Sequence, residues 1–599
     1  MSPKSGSTLS RAARYAVPFA LIPILIWRAQ VNTQVPEPYL DEVFHVPQAQ
    51  AYWAHKWTQW DPKLTTPPGL YLWSYLLCAI LLAIRGSPTQ LDTEALRTTN
   101  TATSAVFLPW RLQALSDSIH KVANKRPLGA WLSHTVLNIC LFPPLCFFSG
   151  LYYTDVLSLL VVVEAYNWHL KRSSEKGYAV LKLLGFLVFG LAALVCRQTN
   201  IFWVAIFLGG LQVVSQFGHT SKYSESLDFL TIVKRGLRGE VFDPYVSEAY
   251  LEASLRNPVS TVVSVIPHVI ILGAFGTFVL WNNGVVLGHK EFHIAGVHLA
   301  QMLYIWPYFA FFSWPLLVIP LINTLAPQKP ALPKYLNYGL PKSQKKLPRA
   351  LTLLLIIPVM LAIVHFNTIV HPFTLADNRH YVFYVFRLLL GVHPMVKYVA
   401  VPVYFLCGWA VMLALGFSFI RPRFLQLVEP APKPKAKPAS PAKAGKEQVN
   451  KSKPTSKKSK EKPQPQPSGP DPAIFAQVKG HLIARARHEP DAPHASFVLV
   501  WFVATALSLV TAPLVEPRYF IIPWVMWRLH LPPAPTLAAY KQKRPEIEDE
   551  KVRADLATNL PKFVETVWFL IINAGTGYVF LYKGFEWPQE PGKIQRFMW

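Results

Sequence analysis

Long apolar runs with at most one charged residue recur along this chain, and the segments between them carry most of its charge. The clearest runs are "AVPFALIPILIW" (16–27), "VLKLLGFLVFGLAALVC" (180–196), "VVSVIPHVIILGAFGTFVLW" (262–281), "LTLLLIIPVMLAIVHF" (351–366) and "YVAVPVYFLCGWAVMLALGFSFI" (398–420). Roughly 20 such residues cross the hydrocarbon core of a bilayer. Backbone groups inside that core must be satisfied within the segment, so each run predicts a helix. The fold class that follows is an all-α polytopic membrane protein. The first run is followed by "WRAQVNTQ", without a small-x-small cleavage site, and so predicts a retained anchor.

Charge then assigns sides. Basic residues collect on the cytosolic side of short loops, which predicts cytosolic segments at 1–13, 113–127, 171–176, 217–260, 324–349, 421–494 and 531–562. Alternation leaves 32–97, 150–154, 197–200, 283–300, 371–395, 514–517 and the C-terminal tail on the opposite face. The apolar stretches 69–84 and 380–392 would break this alternation if they crossed. They are therefore expected as juxtamembrane or re-entrant helices on the far face, with about thirteen spans elsewhere.

The net charge of +26, with only 33 acidic residues in 599, raises the question of nucleic acid. Its location argues against that partner. Residues 431–470 are almost purely Lys, Pro, Ala and Ser, cannot bury a core and are expected to be disordered. A solvated cytosolic loop that touches anionic lipid accounts for them. The chain divides accordingly into a transmembrane catalytic region (1–420, with a first far-face loop at 32–97), a Lys/Pro-rich insertion (421–494) and C-terminal helices with a tail (495–599). The five cysteines (78, 140, 146, 196 and 407) form no CxxC pair and read as membrane packing.

The far-face segments hold an unusual inventory: "YLDEVFHVPQAQAYW" and "QWDPKLTTPPGLY" within 39–71, "YYTD" (152–155), "RQTN" (197–200), "LGHKEFHIAGVHLAQ" (287–301), "HPFTLADNRHYVFY" (371–384) and "VEPRYF" (515–520). A partly desolvated carboxylate at a membrane boundary has its pKa pushed up toward the range of a general base. Asp41 and Glu42 are the candidates; the same pair also suits a solvated loop entrance. The cations Lys290, His298, Arg379, His380 and Arg518, with His289 and His293, suit an anionic leaving group, because guanidinium forks match phosphate oxygens. The spacing of the three histidines 289, 293 and 298 matches no standard zinc site, so no metal is expected. No Walker, GxGxxG, HExxH or GxSxG motif is present, and no nucleotide cofactor is expected either. A base and an anion clamp at a membrane surface point to group transfer from a lipid phosphate, with inversion at the transferred carbon if attack is direct.

All of these stretches except "LGHKEFHIAGVHLAQ", with "LVEPRYFIIP" for the last, resemble in order the signatures of the dolichyl-phosphate-glucose-dependent α-1,2-glucosyltransferases of the endoplasmic reticulum. That family adds the last glucose to the lipid-linked oligosaccharide used for asparagine-linked glycosylation. The likeness runs from about residue 14 to 582 and leaves out the Lys/Pro-rich segment. It implies a GT-C architecture in a multi-pass endoplasmic reticulum protein with a lumenal site, while the charge pattern puts the Lys-rich loop in the cytosol. It also implies Asp41 as catalytic base, with Glu42 orienting it or binding a sugar hydroxyl. The donor would be dolichyl-phosphate-glucose, and the acceptor a diglucosylated dolichyl-pyrophosphate oligosaccharide. Arg379, His380, Arg518, Lys290 and His298 are the candidates for the donor phosphate, and Trp60, Asp61, Tyr71 and His45 for sugar contacts. A membrane transporter with a polar vestibule is the alternative, but it predicts internal repeats and mid-membrane ionisable groups that the sequence lacks.

Overall fold

A computed structural model describes residues 16–85, 91–120, 131–174, 179–220, 258–288, 290, 296–325, 347–348, 350–415, 495–512, 514, 516–532 and 548–599. All belong to one compact unit made of residues 1–419 and 490–599. The insertion at 421–494, together with His289 and His293, lies outside the described residues.

The architecture is helical. Among the described residues five helices are long and apolar enough to cross a membrane: Ala179–Cys196, Thr261–Asn282, Gln301–Ile322, Val396–Leu415 and Asn559–Tyr582. Shorter apolar helices include Gly69–Ala83, Gln198–Val214, Ala350–Phe366 and Phe497–Val510. The stretch expected as a far-face helix at 380–392 forms two short pieces, Tyr381–Tyr384 and a wider-wound turn at Val385–Leu390. Prolines sit inside several long helices, three of them in Gln301–Leu325. Neighbouring helices and local rewinding satisfy the carbonyls such prolines free.

Short, largely buried helices pack together in the core. His134–Cys140 begins with Ser133 accepting from the Val136 amide, the N-cap role that serine fills well. Pro143–Ser149 begins with proline, whose fixed φ suits the first helical turn. Against them packs Ile521–Leu529, and Phe142 stacks on Trp524 at 3.9 Å between ring centres. Such a pair adds about 0.5–1.5 kcal/mol beyond the area it buries.

One element departs from the all-α expectation. Phe585–Trp587 and Glu590–Gln595 form a two-stranded antiparallel hairpin with an irregular register at Glu586/Trp587. Residues beyond it pair with the 379–381 loop: Met598 N–H donates to Arg379 O at 2.8 Å, and Tyr381 N–H to Met598 O at 3.0 Å.

Hydrogen bonds join several of the segments that the charge pattern groups on one face. Tyr39 bonds Arg596, Gln198 and Leu287 both bond Thr65 O, His298 N–H bonds Val510 O, and Gln301 bonds Ala512 O. Glycine permits one of these close approaches. A Cβ on Gly69 would lie 2.6 Å from Val195 O, so only glycine lets this helix press against the turn that carries Arg197.

Candidate active site

The segment that begins at Val35 is held by a buried ion pair. Arg97, in the helix Thr93–Ala102, and Glu42 have fully buried side chains. Arg97 Nε donates to Glu42 Oε1 at 2.9 Å, and Nη2 to Oε2 at 2.5 Å. The remaining Arg97 donors bond Val35 O, Glu37 O and Asn32 Oδ1. Glu42 also accepts from the backbone N–H groups of Tyr39 and Tyr152. Both carboxylate oxygens are thus occupied by fixed donors.

This anchor sets the conformation of the turn ahead of the helix Glu42–Trp53. Leu40 adopts φ +54°, a left-handed conformation that costs a non-glycine residue roughly 1 kcal/mol or more. Asp41 follows at the N-cap, where aspartate ordinarily accepts from an amide of the first helical turn. Here the side chain makes no capping bond. It points instead at Arg518, whose Nη1 lies 3.0 Å from Asp41 Oδ2, and keeps 40% of its surface exposed. The Asp41 amide donates to the Tyr153 hydroxyl at 3.2 Å.

Arg518 is held on two sides. Its Nε donates to Glu516, its Nη1 to Asp41, and its guanidinium lies within 5.8–6.0 Å of the Phe148, Tyr153 and Tyr519 ring centres. Enclosure works to lower its pKa, but Glu516, Asp41 and Asp155 outweigh that and hold it well above its ordinary value. For Asp41, enclosure works to raise the pKa. The Arg518 charge, His45, the Arg518 hydrogen bond and His380 prevail, and the carboxyl lies below its ordinary value. This corrects the expectation of a raised pKa. Partial desolvation alone would produce one; a guanidinium in contact reverses it.

Four of the sequence motifs therefore meet around Asp41: "YLDEVFH", "YYTD", "RQTN" and "VEPRYF". The third contributes Arg197, whose Nη1 lies 2.5 Å from Asp155 Oδ1. A fifth, "ADNRHY", stands close enough for His380 to act electrostatically on Asp41. Its arginine is already engaged: Arg379 makes a two-pronged pair with Asp377 at 2.9 and 2.7 Å, bonds Gln595 Oε1 at 3.2 Å, and lies over the Trp587 ring at 4.4 Å. His380 Nε2 lies 3.6 Å from Asp377 Oδ2, and Nδ1 lies 3.2 Å from Trp599 O.

The other sequence candidates divide. His45, one turn along from Asp41, is buried, and its Nδ1 bonds the Tyr71 hydroxyl at 2.7 Å. Burial holds its pKa below the ordinary histidine value despite the Asp41 charge. Tyr71 is buried too, and Trp60 packs edge-on against it at 6.0 Å. Asp61 accepts from the Lys63 amide in its own loop at 2.9 Å. Lys290 and His298 are not brought to this cluster by any contact among the described residues. Lys290 is exposed and donates to Asn282 O; His298 bonds Val510 O through its backbone.

Sequence reasoning missed Arg97, Asp155, Arg197, Glu516 and Asp377 as individual residues. Glu94 and Arg97 are spaced like a surface i,i+3 pair, which hides that Arg97 reaches back to Glu42. Glu516 and Asp377 each stand two residues before an arginine they engage, a spacing that could have flagged both.

The DIE2/ALG10 family pattern matches residues 35–529. A relative from Aspergillus fumigatus is 60% identical over 99% of both chains, and one from Emericella nidulans is 56% identical over 100% of both. A plant relative from Arabidopsis thaliana is 29% identical over 95% of this chain and 96% of its own. Each is named Dol-P-Glc:Glc(2)Man(9)GlcNAc(2)-PP-Dol alpha-1,2-glucosyltransferase. This chain belongs to the DIE2/ALG10 family, a family of glycosyltransferases. No solved structure matches it.

Proposed function

We propose that this chain performs the reaction its relatives are named for: transfer of glucose from dolichyl-phosphate-glucose to the diglucosylated dolichyl-pyrophosphate oligosaccharide, forming a terminal α-1,2 linkage. The observation that carries the reading is Asp41, an uncapped N-cap carboxylate directed at the Arg518 guanidinium. We assign Asp41 as general base. It takes the proton from the acceptor C2 hydroxyl as that oxygen attacks the anomeric carbon. The bond from that carbon to the phosphate oxygen breaks, dolichyl phosphate departs with the electron pair, and the configuration inverts. Arg518 offers its charge to the departing phosphate. A phosphate that engages Arg518 draws off the charge that keeps the Asp41 pKa low, so donor binding strengthens the base.

Glu42 and Arg97 serve as positioning residues, because neither has a donor or acceptor left to give a substrate. Arg379 and His380 form the rim nearest the phosphate. We further infer a GT-C arrangement with about thirteen spans, a lumenal site and a cytosolic Lys-rich loop in the endoplasmic reticulum membrane. The guanidinium fills the charge-stabilising role of a divalent ion, so chelation by EDTA should leave the rate unchanged.

The test is transfer of labelled glucose from dolichyl-phosphate-glucose in detergent, comparing wild type with Asp41→Asn. The variant keeps the shape but cannot take a proton, and a loss of about 10²–10⁴ in kcat is expected. Turnover within threefold of wild type would move the base to another carboxylate. Absence of glucosyl transfer by the wild type would sink the whole reading.

A further inference from the structure

Beside Asp41 stands a second carboxylate that its protein partners do not fully satisfy. Asp155 lies in the first turn of the helix Thr154–Ser174, and its side chain is 2% exposed. Its Oδ1 receives Arg197 Nη1 at 2.5 Å. Its Oδ2 is buried and has no hydrogen-bond partner among the described residues. A buried carboxylate oxygen with no donor is costly to maintain, and such atoms in native proteins call for an explanation.

The surroundings are rigid. Arg197 lies over the Tyr519 ring at 5.2 Å, and the side chain of the next residue, Gln198, donates to Thr65 O at 2.6 Å. Val195 and Cys196, immediately before, press against Gly69. Asp155 acts electrostatically on His45, Arg518 and Tyr519, which places it in the same cluster as Asp41. Two further buried donors in this neighbourhood, Trp60 Nε1 and Thr66 Oγ1, also lack partners among the described residues. Both belong to the loop that Gln198 holds.

We propose that Asp155 is a sugar-recognition residue: its Oδ2 accepts a hydrogen bond from a hydroxyl of a glucosyl ring held against Asp41, and Arg197 is the positioning residue that fixes the carboxylate. The proposal rests on the glucosyl-transfer reading. An ionised carboxylate only accepts, and each sugar hydroxyl can donate. Such a charge-assisted bond, closed off from water, discriminates strongly against a ring lacking that hydroxyl. Two rings offer this chemistry, the glucose being transferred and the terminal glucose of the acceptor.

The experiment uses the full-length protein in detergent. Dolichyl-phosphate-glucose is compared with donors deoxygenated at C2, C3, C4 or C6 of the glucose. In a second arm, acceptors are deoxygenated at C3, C4 or C6 of the terminal glucose, leaving the attacking C2 hydroxyl in place. Wild type should lose about ten- to a hundredfold in kcat/KM with one deoxy substrate. Asp155→Asn should lose a similar factor with the natural substrates and nothing more with that one analogue. The arm in which this happens identifies the ring. Arg197→Lys should show a smaller loss with the same analogue preference. Equal proportional losses with every analogue, or an Asp155→Asn enzyme of wild-type activity, would overturn the proposal. If Asp155→Asn does not fold, the wild-type series decides with Arg197→Lys: a wild type indifferent to every hydroxyl also overturns it. All these outcomes presuppose an active wild type, so they are distinct from failure of the glucosyl-transfer reading.

Discussion

Asp41 and Glu42 are neighbours of nearly identical chemistry, and their partners separate them completely. Glu42 is sealed against Arg97 with all of its acceptor directions in use, whereas Asp41 meets a guanidinium that a substrate can share. Breaking the buried pair from one side leaves a bare charge. Arg97→Met should therefore lower stability by about 3–5 kcal/mol, and the double variant Arg97→Met/Glu42→Gln should regain much of that. Melting in detergent reads both; a single variant as stable as wild type would deny the anchor. Asp41 predicts a pH effect instead. Its folded pKa is depressed, so the stability it draws from Arg518 is present above the unfolded value of about 3.9 and is lost as pH falls through the folded value. Around neutral pH the pair is intact. The acid limb of kcat/KM assigned to Asp41 should thus lie below the ordinary carboxylate range. Arg518→Gln removes the dominant lowering influence, and the limb of its residual activity should move to higher pH. An unmoved limb would assign it to another group. The sequence made the acidic pair legible, but not which member is buried, because the deciding partner lies 55 residues away in the chain.

Elements that look dispensable in sequence hold the turn ahead of Asp41 from its outer side. Arg596, just past the hairpin, donates through Nη1 to Phe580 O and Leu581 O at 2.8 and 2.7 Å, and through Nη2 to Gln34 O at 3.2 Å. It therefore serves carbonyls near the ends of two helices, Ile22–Gln34 and Glu548–Tyr582, where a cation is favoured by the helix dipole. Its backbone exchanges hydrogen bonds with the Tyr39 hydroxyl, and burial raises the pKa of that hydroxyl to about 12, keeping it protonated. Small displacements of a catalytic group lower rates sharply. Arg596→Ala should accordingly reduce kcat by about tenfold while leaving the donor KM within about twofold. Steady-state kinetics with the donor varied test this, and a rise in KM alone would make Arg596 a binding residue. Helices were readable here because apolar runs and prolines mark them. The hairpin was not, because "FEWPQEPGKIQ" is short, broken by proline and glycine, and lacks alternating apolar positions. Its register depends instead on neighbours such as Asn378, which accepts from Trp587 Nε1 at 2.8 Å.

At the scale of the molecule, polar clusters gather in two sets of segments. One is the Asp41 cluster. The other includes Arg528–Glu565, with Asn138 bonded to Glu565, and Arg111–Glu164; its helices adjoin segments that the charge pattern assigns to the cytosol. The hydrogen-bonded convergence of Thr65, Gln198, Leu287, His298, Arg379, Arg518 and Arg596 with their neighbours is what a shared face requires. Charge alternation alone could anticipate that grouping but not the distances within it. The same alternation predicts the side of the Lys-rich insertion. The chain contains one N-x-S/T sequon, Asn450-Lys451-Ser452, inside it. With the insertion in the cytosol, the glycosylation machinery of the lumen cannot reach Asn450, and the residue should stay unmodified although its sequence is polar and free of apolar runs. Peptide mapping of protein from its native membrane, with and without glycosidase, gives the answer. A glycan on Asn450 would place the insertion in the lumen and require one of the far-face helices, 69–84 or 380–392, to cross the membrane. The Asp41 cluster would then have to be assigned afresh to a side, because its segments share one face only while both of those helices lie flat.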